Sequence, residues 1–367
     1  MSVVTILQGA VGIGLFILIL GILVLIHEIG HFVTARRAGV RVHEFGIGFP
    51  PRAKVLRSDG ETLYSLNWLP IGGFVKLEGE DGDSDDPRSF TRAPFLTKQW
   101  ILSAGVLMNL LLALVLMVGV AWIPQRILAL GFETVQPDSP AAGAGLVGGS
   151  QLLAIDGRHY DAFDGPQAMV DDLRARAGQP VELEIVTPSG ARQDVTVELR
   201  GAGEIGPDKG ALGIVTLEAE LLDETFTRSP VEALTTGAQR TVAAFGLILD
   251  GLGQLVTSMA TRPTEPPPVT GPVGIAVSIS DVFWQAGIVA TIYLAGLLSA
   301  NLALVNFLPF PPLDGGRMLM LAIKQVAGAR ISVRAEQLTY VVGFMFLFGF
   351  LIWITVFDLA RLGGAVQ

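Results

Sequence analysis

The sequence contains no cysteine. That excludes a disulfide framework, a thiol nucleophile, cysteine-ligated zinc and iron–sulfur clusters. Charge is scarce as well. Only 16% of the 367 residues are Asp, Glu, Lys or Arg, against 50% hydrophobic, and the mean hydropathy is +0.54. A soluble domain carries about 25% charged residues, so this composition points to a membrane protein. A net charge of −9 and the lack of a long basic run argue against nucleic acid as a partner. Histidine is rare, with only His27, His31, His43 and His159, and any imidazole-based metal site must draw on those four.

Residues 1–26, 99–125, 282–313 and 337–357 form four long apolar windows without a charged side chain. A helix needs about 20 apolar residues to cross a bilayer core. The windows therefore predict a membrane helical bundle of four spans, at about 10–35, 100–123, 285–313 and 337–357. The first lacks a basic leader and a small-residue cleavage site, and it continues past His31, so it reads as a retained span and not a signal peptide. Arg36, Arg37, Arg41, Arg88, Arg92 and Lys98 flank the first connection, and Arg317, Lys324, Arg330 and Arg334 fill the last. By the positive-inside rule both connections are cytoplasmic and the long stretch 126–281 lies outside. Residues 241–260 are apolar but contain Asp250. Leu234, Ala238, Val242, Phe245, Leu249 and Leu252 follow helical spacing there, which suits an amphipathic helix on the outer surface better than a fifth span. That helix and the proline-rich linker 262–271 make up a connecting region at 221–281.

Chemistry concentrates in His27-Glu28-Ile29-Gly30-His31. On a helix, positions i and i+4 share a face, so both imidazoles can grip one metal ion while the glutamate takes a proton from water. The alternative is a pair of helix-face histidines beside a surface glutamate. Depth weighs against it: at 1.5 Å per residue His31 and His27 lie about 7 Å and 13 Å inward of Arg36. An ionisable group at such depth costs roughly 2.5–3.5 kcal/mol on insertion scales. Three polar side chains in five residues need a common partner, and a divalent cation supplies one. A third ligand is then missing. The third span ends in Asn306-Phe307-Leu308-Pro309-Phe310-Pro311-Pro312-Leu313-Asp314-Gly315-Gly316. Its prolines stop a regular helix, and an Asp314-Gly315-Gly316 turn would bring a carboxylate to the side where His27 and His31 lie. Asp314 is thus a candidate ligand, with a plain loop-capping aspartate before Arg317 as the other reading.

These motifs resemble the site-2 protease family of intramembrane zinc metalloproteases, and within it the bacterial sigma-E-type signalling branch with a single PDZ insert. His27 to His31 matches the first-span signature, and Asn306 to Gly315 the N-x-x-P-x-x-x-L-D-G signature. Ser103-Ala104-Gly105-Val106-Leu107-Met108-Asn109 resembles the second-span pattern, with Val106 where proline is common. Leu69-Pro70-Ile71-Gly72-Gly73-Phe74-Val75-Lys76-Leu77 resembles the membrane-associated β-hairpin, placed at about 62–78. The resemblance implies zinc (Zn2+) held by His27, His31 and Asp314, with Glu28 as general base. It implies that Gly72, Gly73 and Phe74 capture an unwound substrate strand, and that Asn306 holds substrate backbone. Expected partners are transmembrane protein substrates, such as anti-sigma factors or signal-peptide remnants, within the lipid bilayer. The expected location is the bacterial inner membrane, with the site toward the cytoplasm.

Residues 126–220 read as an inserted α+β domain. Val181-Glu182-Leu183-Glu184-Ile185-Val186 and Asp194-Val195-Thr196-Val197-Glu198-Leu199 alternate about a Pro-Ser-Gly turn, a hairpin signal. The pattern resembles an extracytoplasmic PDZ domain, with Leu212, Gly213 and Ile214 in the loop that would meet a peptide ligand. The rival readings are a non-catalytic membrane PDZ scaffold and a metal transporter. One cluster near one face offers a transporter no path across the bilayer.

Overall fold

The computed structural model describes residues 3–80, 82, 84–206, 209–262, 264–327 and 333–363. Arg330, which figured in the charge pattern, and Pro263 of the linker lie outside the described residues. In chain order the elements are α1 (Val3–Arg37), β1 (Val42–Ser58), β2 (Leu63–Leu77), α2 (Phe95–Trp122), β3 (Gln125–Val135), α3 (Pro140–Gly143), β4 (Ser150–Ile155) and β5 (Arg158–His159). Then come α4 (Gly165–Ala175), β6 (Pro180–Val186), β7 (Arg192–Glu198), β8 (Ile214–Phe226), α5 (Pro230–Thr261), α6 (Pro272–Phe307), α7 (Asp314–Ala327) and α8 (Val333–Leu362). They form two units, one of residues 1–120 with 235–367 and one of residues 121–234.

In the first unit, α1, α2, α5, α6 and α8 are each long and apolar enough to cross a membrane. The sequence reading had credited four windows with that capacity. The fifth, α5, starts at Pro230, eleven residues before the 241–260 stretch, and Asp250 sits on it without breaking it. At one end of the bundle, Ser280 Oγ of α6 reaches the carbonyl of Gln8 in α1 at 3.4 Å. At the other lie His27 and His31, about 28 Å further along α1. The start of α5 packs on the far end of α2, where a Cβ on Gly237 would come 2.5 Å from Val118 Cγ2. Further along, Ala244 shares a buried cluster with Ala113 of α2 and Ala300 of α6.

The chain after α5 returns to the C-terminal end of α8. There Arg361 donates to the carbonyls of Pro267 and Val269 at 2.5 Å and 3.4 Å. Asp358, only 1% exposed, accepts the backbone N–H groups of Gly271 at 3.2 Å and Gly274 at 2.9 Å. Helix α6 has no side-chain cap of its own, so a carboxylate from α8 satisfies its first free donors and complements its positive end. Helix α6 begins ten residues earlier than the apolar window suggested, at Pro272, and is broken at Gly287 (φ 79°, ψ −171°). It ends at Phe307, where the proline cluster forbids continuation.

The β-hairpin is larger than the sequence placed it. Residues 63–77 are its second strand, and the partner is β1, paired antiparallel from Val42 with Leu77 to Ser58 with Leu63. Glycines 46 and 48 and the Pro50-Pro51 pair mask the alternation that would have revealed β1. At the tip, the Asp59 carboxylate accepts backbone N–H groups from Thr62 (2.7 Å) and Glu61 (3.1 Å). Those bonds, aided by Arg36, pull its pKa down to about 2.

The second unit is an antiparallel sheet in the order β7-β6-β4-β3-β8, with β5 paired to β4. Strands β6 and β7 occupy the two alternating runs read from sequence, and their inward Val181, Leu183, Ile185 and Val197 join Phe132, Leu152, Ile155, Tyr160 and Met169 in the core. Each such side chain contributes about 1.5–3 kcal/mol by leaving water. Burial pushes the Tyr160 hydroxyl above its usual range, and it donates to Asp172. The unit runs past residue 220, the end expected from sequence: β8 continues to Phe226, and Arg228 lies beyond it. The Arg228 guanidinium spans Asp161 and Asp164 at 2.7 Å each, all three nearly buried. Removing one partner of a buried ion pair costs about 3–5 kcal/mol because a charge is left stranded.

Candidate active site

The side chains of His27, His31 and Asp314 converge. His27 Nε2 and His31 Nε2 are 3.0 Å apart, and Asp314 Oδ2 lies 3.0 Å from the first and 3.4 Å from the second. The histidines are 7% and 8% exposed. Asp314 is the first residue of α7, where the sequence had suggested a turn. The proline-rich 308–313 segment folds back under α7, so closely that a Cβ on Gly315 would sit 2.1 Å from the carbonyl oxygen of Phe307. Only glycine permits that approach, and the approach is what carries the carboxylate to the histidines.

Second partners set the ring chemistry. His31 Nδ1 is 2.8 Å from the carbonyl of Ile101 in α2, which can only accept. Nδ1 must therefore hold the proton, leaving a lone pair on Nε2 in the neutral ring. His27 Nδ1 faces the Asn109 amide at 3.5 Å, whose Oδ1 otherwise lacks a partner. Turned about its amide axis, Asn109 would accept from that Nδ1 and direct the His27 lone pair inward too. Asp314 Oδ2 is buried without a hydrogen-bond donor. With both rings neutral and so oriented, three electron-rich atoms face one another. Ligands at about 2.0–2.2 Å from a tetrahedral zinc ion stand roughly 3.3 Å apart, close to the spacing here, so the donor set fits zinc. Among the described residues these three form the one group of His, Asp or Glu ligand atoms with that convergence.

Gly105 of α2 is the closest neighbour of the set. A Cβ there would stand 2.4 Å from His31 Nε2 and 2.7 Å from His27 Nε2. Gly105→Ala is expected to force the rings or α2 aside and weaken zinc binding by about 10–100-fold, as loss of a ligand-orienting contact does. Gly119→Ala in the same helix meets open space and should bind zinc normally; titration with a competing chelator compares the two. The sequence offered Gly105 and Asn109 only as members of the second-span pattern, with no sign that they face the rings, and it gave no signal for the Ile101 carbonyl.

The three residues line a cavity of about 230 Å3 together with Glu28, Gly73, Phe74 and Val75. A Cβ on Gly73 would lie 3.7 Å from Glu28 Cγ, so the glutamate of the motif sits beside β2. Gly72 adopts φ +83° next to the Phe49 ring and, like Asn306 near the end of α6, is not part of the cavity lining. His43 contacts Glu78, and His159 stands 3.1 Å from Glu184; neither approaches the cluster. Leu212, Gly213 and Ile214 lead into edge strand β8, with Gly213 at φ +83° and its carbonyl accepting the Gln136 N–H at 2.8 Å. Near the site, Glu80 pairs with Arg317 and Asp86 with Arg41.

Long apolar helices around a buried His/His/Asp set with an adjacent glutamate define a membrane metalloprotease. The chain belongs to peptidase family M50, the site-2 protease family, whose profile it matches over residues 15–350. It is 32% identical over 342 residues to a Clostridium perfringens protein named as a candidate zinc metalloprotease, covering 92% of this chain and 95% of that one. It is 30% identical over 372 residues to a similarly named Agrobacterium fabrum protein, at 95% and 96% coverage. The zinc metalloprotease RasP of Geobacillus kaustophilus is 27% identical over 428 residues, at 94% and 97%. The protein is accordingly a zinc metalloprotease and a multi-pass membrane protein.

Proposed function

We propose that the protein is an intramembrane endopeptidase that cleaves single-span helices near the cytoplasmic face of a bacterial inner membrane. The observation that carries this reading is the composition of one cavity: His27, His31, Asp314 and Glu28 share it with the β2 residues Gly73 and Phe74, inside a bundle of apolar helices. In this reading α1, α2, α6 and α8 cross the bilayer. Helix α5 does not, because it starts beside Val118 and the chain after it ends at Asp358, at the same end of the bundle. The arginines and lysines of 36–98 and 317–334 then place the catalytic end in the cytoplasm.

His27, His31 and Asp314 would hold the zinc ion. Zinc bound there supplies the Lewis acidity that brings the pKa of water to about 7. Glu28 takes the proton of the attacking water and passes it to the departing amine nitrogen. A substrate helix hides its peptide bonds in i to i−4 hydrogen bonds and must unwind first. Gly73 and Phe74 offer a strand for the unwound segment to pair with, and Gly72, with a backbone that only glycine adopts readily, shapes the approach. Asn306 contributes a backbone contact to the same substrate. The unit of residues 121–234 serves as a PDZ domain in which Leu212, Gly213 and Ile214 receive a peptide, so it recruits or screens substrates by their outer segments. Anti-sigma factors and signal-peptide remnants are the substrate classes of this reading.

The test is cleavage of a single-span reporter by purified protein in lipid vesicles. Cutting within the span supports the proposal. Zinc-loaded protein that cuts only soluble loops would reject the intramembrane part of it.

A further inference from the structure

Apart from the presumed ligands, Glu28 and Gly73, the wall of the catalytic cavity is apolar: Phe49, Phe74, Val75, Leu77, Ile101 and Leu102. Two residues break that rule, Glu80 and Arg317. A second cavity of about 800 Å3 lies beyond them, lined on one part by Phe90, Phe95 and Leu321 and on the other by Lys98, Lys324, Gln325, Glu336 and Gln337, which can carry water. Glu80 and Arg317 belong to both linings, and no other described residue does. Arg317 donates to Glu80 Oε1 at 2.5 Å, while Glu80 Oε2 accepts the N–H of Leu77 at 3.2 Å. One ion pair therefore bridges the end of β2 and the first turn of α7, and it forms the partition between the cavities.

We propose that the Glu80–Arg317 pair is a gate through which water passes from the larger cavity to the catalytic one. The inference rests on reading the smaller cavity as a hydrolytic site. Each turnover breaks one peptide C–N bond and consumes one water, whose hydroxyl goes to the carbonyl carbon and whose proton goes to the amine. At about 30 Å3 per molecule, a 230 Å3 cavity holds only a handful of waters, and a bound strand displaces them. Resupply through the apolar walls is unfavourable. The partition is the polar route, and the pair closing it is part-buried, with Arg317 at 30% and Glu80 at 16% of side-chain area. Water reaching its exposed side competes for both partners and lets the pair open thermally, yet while closed it keeps the site small and shielded.

The absence of cysteine from the chain makes a direct test available. Val75→Cys places a single thiol on the catalytic cavity wall, and its labelling rate is measured in detergent with a small anionic and a small cationic methanethiosulfonate. Adding Glu80→Gln or Arg317→Gln is expected to speed both reagents by about five-fold, the change in open population from losing a part-buried ion pair. The exchanged pair, Glu80→Arg with Arg317→Glu, should return both rates toward the original. Unchanged rates in the single variants, or an exchanged pair as fast as either, would overturn the gate. A second measurement needs no added thiol: the rate at which a chelator strips zinc from the otherwise native chain should rise in the same two variants, and equal stripping rates would count against the gate. Zinc content read alongside separates the two ideas. A wild-type protein that binds no zinc sinks the hydrolytic reading, whereas full zinc content with unaltered labelling sinks the gate alone.

Discussion

Asp314→Ala is expected to abolish stoichiometric zinc and to lower proteolysis by about a thousand-fold or more. In the proposed set the carboxylate is one of three protein ligands and carries the only negative charge among them. Without it, two imidazole lone pairs 3.0 Å apart face an ion they hold too weakly to keep through dialysis. Metal affinity should fall by well over the roughly 10–100-fold that loss of an outer partner causes, and the several kcal/mol of transition-state stabilisation that the ion provides go with it. Zinc per chain, measured by atomic absorption after exhaustive dialysis of wild type and variant, decides the matter. A variant that retains one zinc per chain would place the third ligand elsewhere. Because Asp314 also opens α7, Asp314→Asn serves as the companion: it keeps the size and shape of the side chain while removing its charge, and should still lose most of the metal.

Glu28→Gln separates metal binding from chemistry. Glutamine has nearly the same shape, so the cavity beside Gly73 should persist and zinc content should equal that of wild type. Its amide cannot accept the proton of the attacking water. Loss of a general base costs about 10²–10⁴-fold, and since the side chain acts in the transition state, the loss should fall on kcat with KM little changed. The measurement is a cleavage time course of the vesicle reporter beside a zinc assay of the same preparation. Retained activity with retained zinc would remove Glu28 from its assigned role. Lost zinc would mean that the glutamate acts on the ligands and not on the substrate.

Much of the site was legible in the chain because its parts are local. His27, Glu28 and His31 fall within one turn of helix, so spacing alone puts them on a common face. The proline cluster at 309–312 announced the end of α6, and the apolar windows announced their helices, since a membrane helix must satisfy its backbone internally and therefore shows as a long run. The signals that failed were the non-local or masked ones. Strand β1 was hidden by glycine and proline at 46–51, so half of the hairpin went unread. Asp250 kept α5 from being counted among the long apolar helices, and the extent of the second unit was obscured by Arg228, a charge that reads as linker until Asp161 and Asp164 are seen to enclose it.

Sequence by itself therefore determined the chemistry: which ligand types are present, that two of them share a helix face, and that all lie in a chain too apolar for water. Tertiary structure alone decided what depends on residues far apart in the chain. It packed Gly105 against both imidazoles, set the Ile101 carbonyl 70 positions from His31 to choose that ring's tautomer, and closed the cavity with a glutamate and an arginine 237 positions apart. The physical reason is that helix period and hydropathy are properties of neighbours along the chain, whereas tautomer, orphaned lone pairs and the partition between two cavities arise only from what the fold brings within about 3 Å.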